Sequence, residues 1–280
     1  MIRLFSQFSL LIVGISFLSA CKNNTVIEHP EWKESIQQDN ISGSVMVYDE
    51  NEGLFHVYDA DRCMERFIPA STYKIIHSLI ALETGVIPDS THVMEWDSVR
   101  RSIPVWNQDH TFKTAFRNSV VWYYQRIARE VGEERMTELL KREGYGNRDI
   151  SGGIDLFWLT GGLRISQSEQ IQYLMKLYHN KTGFSEEHEN MVKDFMLREE
   201  TEAYKLYGKT GWAIVDSMNY GWFVGFLEQS ENVYYFATQI EKKGDDTQGF
   251  ARRRTEITET ALQGLGLLTP PLSAQDSTQK

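Results

Sequence analysis

Tyr204-Lys205-Leu206-Tyr207-Gly208-Lys209-Thr210-Gly211-Trp212-Ala213, Tyr220-Gly221-Trp222-Phe223-Val224-Gly225-Phe226-Leu227-Glu228 and Val233-Tyr234-Tyr235-Phe236-Ala237-Thr238-Gln239-Ile240-Glu241 are three consecutive runs rich in aromatic and β-branched side chains. Such residues suit a pleated, half-buried surface, and the polar turns between the runs predict three antiparallel strands. Near the other end of the chain, Ser44-Val45-Met46-Val47-Tyr48 and Leu54-Phe55-His56-Val57-Tyr58 flank the polar Asp49-Glu50-Asn51-Glu52-Gly53 and predict a hairpin. The stretch between is different. From Ser71 to Glu83, Ile75, Ile76, Leu79, Ile80 and Leu82 recur at helical spacing, and Gly85 followed by Pro88 supplies a stop. Further helices are predicted over 119–131, 133–142, 168–178 and 186–197, with a last one over 256–265. Strands at both ends around a helical middle predict an α+β fold, an α/β sandwich whose antiparallel sheet is assembled from N- and C-terminal parts around an inserted helical region.

The 280 residues carry a formal charge of −10. An acidic surface repels nucleic acid and anionic lipid headgroups, so a small-molecule or peptide substrate is expected and nucleic acid is not. Residues 1–20 hold one charge, Arg3, and an apolar run from Leu10 to Leu18, which reads as a secretory signal too short for a comfortable membrane span. It ends in Leu18-Ser19-Ala20-Cys21, which resembles a bacterial lipobox. The expectation is a lipid anchor on Cys21 and a periplasmic location, with an ordinary cleavage site after Ala20 as the plainer reading. Cys63, the second of two cysteines, is then left without a disulfide partner. Residues 21–40 read as a polar tether containing Pro30, the folded domain as 41–268, and 269–280 as a disordered tail.

The chain has no G-x-S-x-G, H-E-x-x-H, C-x-x-C or G-x-G-x-x-G, so zinc-hydrolase, α/β-hydrolase and dinucleotide readings have no support, and no metal site is expected. It does have Ser71-Thr72-Tyr73-Lys74 at a predicted helix start. Positions i and i+3 share a helix face, which can set an amine beside a hydroxyl that needs a base. Alone the pattern is weak, because Ser19–Lys22 and Ser277–Lys280 match it too, and Ser71 reads equally as an N-cap beside an exposed lysine. Lys209-Thr210-Gly211-Trp212 lies in a predicted strand where Gly211 lets a ligand approach the backbone, whereas Lys181-Thr182-Gly183-Phe184 sits between helices with Gly183 as a helix terminator. Ser119-Val120-Val121 opens another predicted helix, where the serine is a proton relay or a cap. Tyr145-Gly146-Asn147 is a turn, Trp158 and Leu159 fall in an apolar stretch that reads as core, and Arg252-Arg253-Arg254 is either a carboxylate clamp or a solvated face.

In their order and spacing, these motifs resemble the class D, oxacillinase-type serine β-lactamases over Pro69 to Arg254. The resemblance implies a β-lactamase/transpeptidase-like fold and hydrolysis of β-lactams through a Ser71 acyl-enzyme. It implies further that Lys74 carries CO2 as N6-carboxylysine and is the general base, that bicarbonate is its source, and that no other cofactor is used. Ser119 and Lys209 would pass a proton to the leaving nitrogen, and the backbone N–H groups of Ser71 and Trp212 would form an oxyanion hole. Thr210, Gly211 and Arg254 would bind the substrate, with Arg252 or Arg253 as alternatives to Arg254, and Val121, Trp158 and Leu159 would line the carbamate pocket. The alternative is a sensor or penicillin-binding protein of the same fold that is acylated without turnover. Such sensors carry several membrane spans ahead of the domain, whereas here the membrane is expected only through Cys21.

Overall fold

The computed structural model describes residues 25–245 and 247–268. The expected signal peptide at 1–20, Cys21 and the tail at 269–280 lie outside the described residues. In chain order the elements are β1 (Thr25–Glu28), α1 (Lys33–Ile36), β2 (Ser42–Asp49), β3 (Leu54–Tyr58), α2 (Ala60–Met64), α3 (Lys74–Glu83), β4 (Val93–Met94), β5 (His110–Thr111), α4 (Phe112–Arg117), α5 (Val121–Val131), α6 (Glu133–Glu143), α7 (Gln167–Tyr178), α8 (Glu186–Met196), β6 (Leu197–Glu200), β7 (Tyr204–Val215), β8 (Met218–Gln229), β9 (Asn232–Lys243) and α9 (Phe250–Gly264).

Seven strands form one sheet in the order β1-β3-β2-β9-β8-β7-β6. The hairpin strand β2 pairs antiparallel with β9, setting Val45 opposite Thr238 and Val47 opposite Phe236. The sheet is thus closed by the N- and C-terminal parts of the fold, as the sequence predicts, and among the described residues only the β1–β3 pair is parallel. Alternation along the strands divides the apolar side chains between two cores. Met46, Tyr48, Trp222, Val224, Phe226 and Tyr235 face the helical region, where Ile171 and Leu174 of α7 meet them. Val45, Val47, Phe223, Phe236 and Ile240 face the other way, onto Phe250, Ile257, Ala261 and Leu262 of α9 and Ile36 of α1.

Three expectations need correction. The polar tether does not reach residue 40: β1 runs parallel to β3, and Trp32 and Ile36 are buried against the α9 face. Two apolar anchors in a polar stretch are enough to dock it, because Trp32 also stacks on His29 at 4.3 Å. The last helix begins at Phe250 rather than 256, with Gly249 at φ 76° as its N-cap, so the three arginines lie inside it. Gly183 does not terminate a helix. α7 ends at Tyr178 with His179 as its C-cap, and Gly183 lies against the Glu143 and Arg142 side chains, where a Cβ would sit 2.5 Å from a Glu143 carboxylate oxygen.

Candidate active site

Ser71 lies in a 3-10 turn, Ala70–Tyr73, that runs into α3, so the helix proper begins at Lys74. Neither cap of this segment uses a side chain, which removes the N-cap reading of Ser71. The turn is tied down on three sides. Trp222 of β8 donates its indole N–H to the Ile68 carbonyl at 2.9 Å, Thr72 Oγ1 donates to the Pro69 carbonyl at 2.8 Å, and Gln170 of α7 donates to Thr72 Oγ1 at 2.8 Å. Ala70 is held at φ 51°, a left-handed conformation that costs a non-glycine residue energy and persists only where the surroundings enforce it.

Held this way, Ser71 Oγ accepts a hydrogen bond from Lys74 Nζ at 2.9 Å. Lys74 is fully buried, and its amine lies 5.0 Å from the centroid of the Tyr124 ring. Burial disfavours the ammonium and brings its pKa down to about 7. Ser78 Oγ donates to the Lys74 carbonyl at 2.7 Å and is 2.8 Å from the Tyr124 hydroxyl, so these polar groups satisfy one another and leave the amine alone.

The motif of β7 meets this turn edge-on. A Cβ on Gly211 would lie 2.9 Å from the Pro69 carbonyl and 3.3 Å from the Thr72 nitrogen, so only glycine lets the strand come this close. That approach brings Trp212 on β7 up to the Ser71 turn. Lys209 donates to Ser119 Oγ and, at 3.0 Å, to the Thr210 carbonyl, and its pKa is pushed well below the usual lysine value by burial and then by the Lys74 charge. Ser119 precedes α5 at φ 53°, and the N-cap of that helix is Val120 with no side-chain bond. The expected helix start at 119 is therefore two residues early, and Ser119 is not a cap.

The three arginines of α9 separate cleanly. Arg252 points outward to Glu256 at 2.7 Å, Arg253 donates to the Ser35 carbonyl on α1, and Arg254 donates to the Gly211 carbonyl at 2.6 Å. Burial lowers the Arg254 pKa to about 10. Ser71, Ser119, Val121, Thr210, Trp212 and Arg254 line one cleft of about 510 Å³. Ile103, Trp106 and Ile214, which drew no notice in the sequence, form its apolar rim. Trp106 is fixed there by donating to the Asn118 carbonyl at 2.9 Å and accepting from Trp122 at 2.8 Å.

Trp158 is fully buried, stacked 5.4 Å from the Tyr73 ring, and its indole N–H has no partner among the described residues. Val121 and Leu159 are only partly buried, Val121 on the cleft wall and Leu159 against the core. Tyr145-Gly146-Asn147 is structural: the Asn147 amide donates to the Gly162 carbonyl and its side-chain oxygen accepts from the Arg164 backbone, both at 2.9 Å. This pins the far end of the loop that carries Trp158. Cys63 is buried with its thiol pKa raised to about 12, so it is chemically quiet.

The family model described as the penicillin binding protein transpeptidase domain matches residues 36–263. Beta-lactamase OXA-48 of Klebsiella pneumoniae is 41% identical over 236 residues, which is 84% of this chain and 88% of that protein. Among solved structures, the class D β-lactamase YbXI from Nostoc is 46% identical with a TM-score of 0.80, covering 85% of this chain and 99% of its own. A class D β-lactamase from Sebaldella termitidis is 35% identical with a TM-score of 0.83, over 88% of this chain and all of its own.

Proposed function

Because the chain belongs to the class D β-lactamases, serine hydrolases that open β-lactam rings, we propose that Ser71 is its acylated nucleophile and that Lys74, carboxylated on Nζ, is the general base for acylation and deacylation. The observation that carries this reading is the buried Lys74 amine, bonded to Ser71 Oγ and poised near neutrality with no ion pair among the described residues. An uncharged amine can add to CO2, and the unpartnered Trp158 indole N–H fits the resulting anion. When present, that group supplies an oxygen base able to take a proton from a hydroxyl or a water.

The remaining roles belong to the chain itself. Ser71 Oγ attacks the lactam carbonyl, whose oxygen is held by the backbone N–H groups of Ser71 and Trp212. Ser119, bonded to Lys209, delivers a proton to the leaving nitrogen. Lys209 is suited to this because its depressed pKa lets it give up a proton and take one back. Thr210, Gly211 and Arg254 seat the substrate carboxylate on the β7 edge, where the guanidinium offers a planar pair of donors. Trp158, with Val121 and Leu159 at the margins, keeps water from the Lys74 amine.

Nitrocefin hydrolysis followed by mass spectrometry tests the assignment. Wild-type protein is expected to turn over repeatedly, and Ser71→Ala to form no adduct and release no product. A single stoichiometric burst from wild-type protein would point instead to a sensor or a penicillin-binding protein.

The reading extends to location: Cys21 receives the lipid that holds the enzyme to a bacterial membrane on the periplasmic side. Expressed in bacteria fed labelled palmitate, the wild-type chain is expected to take up label and Cys21→Ser to take up none. Equal labelling of the two would refute the anchor.

A further inference from the structure

His77 stands three residues beyond Lys74 on the same face of α3, fully buried, and neither of its ring nitrogens has a hydrogen-bond partner among the described residues. Its ring centroid is 5.0 Å from that of Tyr73, 5.2 Å from Tyr124 and 5.2 Å from Trp158. Tyr124 is also the ring beside the Lys74 amine, and Trp158 carries the other unpartnered N–H. One aromatic box next to one lysine therefore holds three buried nitrogens with nothing to bond.

Buried polar atoms are rarely left unpaired, and a neutral imidazole always presents one N–H donor and one acceptor. The nearby hydroxyls are already engaged: Tyr124 with Ser78 at 2.8 Å, and Tyr73 with Met136 Sδ at 2.9 Å. A small oxygen-bearing group beside Lys74 would give these nitrogens a partner that the described side chains do not supply.

We propose that His77 is a positioning residue for the carboxyl group on Lys74, its ring N–H holding that group, directly or through one buried water, while Trp158 Nε1 holds it from the other wall. This rests on the reading that Lys74 is carboxylated. In that addition the Lys74 nitrogen lone pair forms the bond to the carbon of CO2, one C=O π pair moves onto oxygen, and the nitrogen releases one proton to solvent. What fixes the extent of the reaction is how well the new carboxylate is held. His77 thus sets how much bicarbonate the enzyme needs, and acts on catalysis only through Lys74.

The test is a titration of wild-type, His77→Phe and His77→Asn proteins with carbon-13 bicarbonate, with the carbamate resonance as readout and thermal unfolding in parallel. Phenylalanine keeps a ring and deletes both nitrogens, so half-occupancy is expected to need about tenfold more bicarbonate, the size of one hydrogen bond to a charged group. The unfolding temperature should hold or rise, because two unpaired polar atoms have been removed. Asparagine keeps an N–H donor and is expected to stay within about threefold of wild type. Carbamate uptake by His77→Phe at the wild-type bicarbonate concentration would overturn the proposal while leaving the proposed function intact. Equal loss in both folded variants would also overturn it, because the N–H that asparagine keeps would then make no difference. A wild-type protein that hydrolyses β-lactams with no carbamate resonance would instead overturn the reading beneath it. Should His77→Phe fail to fold, His77→Leu removes the same nitrogens with a smaller side chain.

Discussion

The Lys74 amine reaches Ser71 Oγ at 2.9 Å from inside the protein, with no carboxylate paired to it among the described residues. A buried lysine without a counter-ion is unstable as an ammonium, so this arrangement favours a neutral amine, the form that the proposed addition of CO2 requires.

The first expectation concerns pH. With the Lys74 pKa lowered from 10.5 to about 7, acidification below neutrality protonates the amine, and an ammonium has no lone pair to add to CO2. Turnover in bicarbonate-free buffer is expected to fall as the pH drops through about 7, and added bicarbonate is expected to restore part of it. Superimposable pH profiles of kcat with and without bicarbonate would count against the mechanism. Linkage gives the sign for stability. In the unmodified protein, with its folded pKa below the unfolded value, the cost of burying the charge is felt in full below about pH 7 and fades as the pH approaches 10.5.

Trp158 offers a separation of packing from hydrogen bonding. Replacing this fully buried indole by alanine should lower stability by about 3–5 kcal/mol through the cavity left behind. Trp158→Phe keeps most of the volume and an aromatic face while deleting the indole N–H. Both variants are expected to acylate slowly and to deacylate far more slowly still, so that the adduct persists in intact-protein mass spectra. Rapid clearance from Trp158→Phe would show that the N–H has no part in the second half of the cycle.

Arg254 and Arg252 can be told apart by substitution. Arg254 lines the cleft and bonds the Gly211 carbonyl, whereas the Arg252 side chain is 76% exposed and paired with Glu256. Arg254→Ala is expected to raise KM about 10–100-fold for a substrate with a free carboxylate, and much less for its methyl ester. Arg252→Ala should leave both near wild type, because exposed ion pairs contribute little. An equal loss on acid and ester would remove Arg254 from carboxylate recognition.

Much of the sheet could be read in the chain because β7, β8 and β9 are long, uninterrupted and dense in β-formers, and the β2–β3 hairpin is marked by its polar turn. The weak spots were elements held by a few contacts. Trp32 and Ile36 are isolated apolar residues in a polar stretch, and only the facing α9 shows why they are buried. The helix of Arg252–Arg254 starts before its apolar periodicity does, because Phe250, its first buried residue, is separated from the periodic part by a run of cations.

In the site, the i to i+3 relation of Ser71 and Lys74 is local and therefore legible. That Lys209 would meet Ser119 is not, since no local pattern joins β7 to the turn before α5. That Arg254, rather than Arg252 or Arg253, lines the cleft follows from helix phase, which no local pattern fixes. Ile103, Trp106 and Ile214 carry no signal in the sequence, because an apolar residue looks the same whether it rims a cleft or faces open water, on a connecting segment or, like Ile214, near a strand end. His77 reads as one more residue of an apolar helix, and only the absence of a partner for its nitrogens sets it apart.

The pairing of β2 with β9 has a consequence for biogenesis. Strand β2 emerges early from the ribosome and has no partner on its inner edge until nearly the whole polypeptide has been made. Contacts this distant in sequence are slow to form, so the nascent chain should stay open and chaperone-dependent until translation is almost finished. A nonsense mutation anywhere before β9 would then yield a fragment destined for proteolysis rather than a smaller working protein.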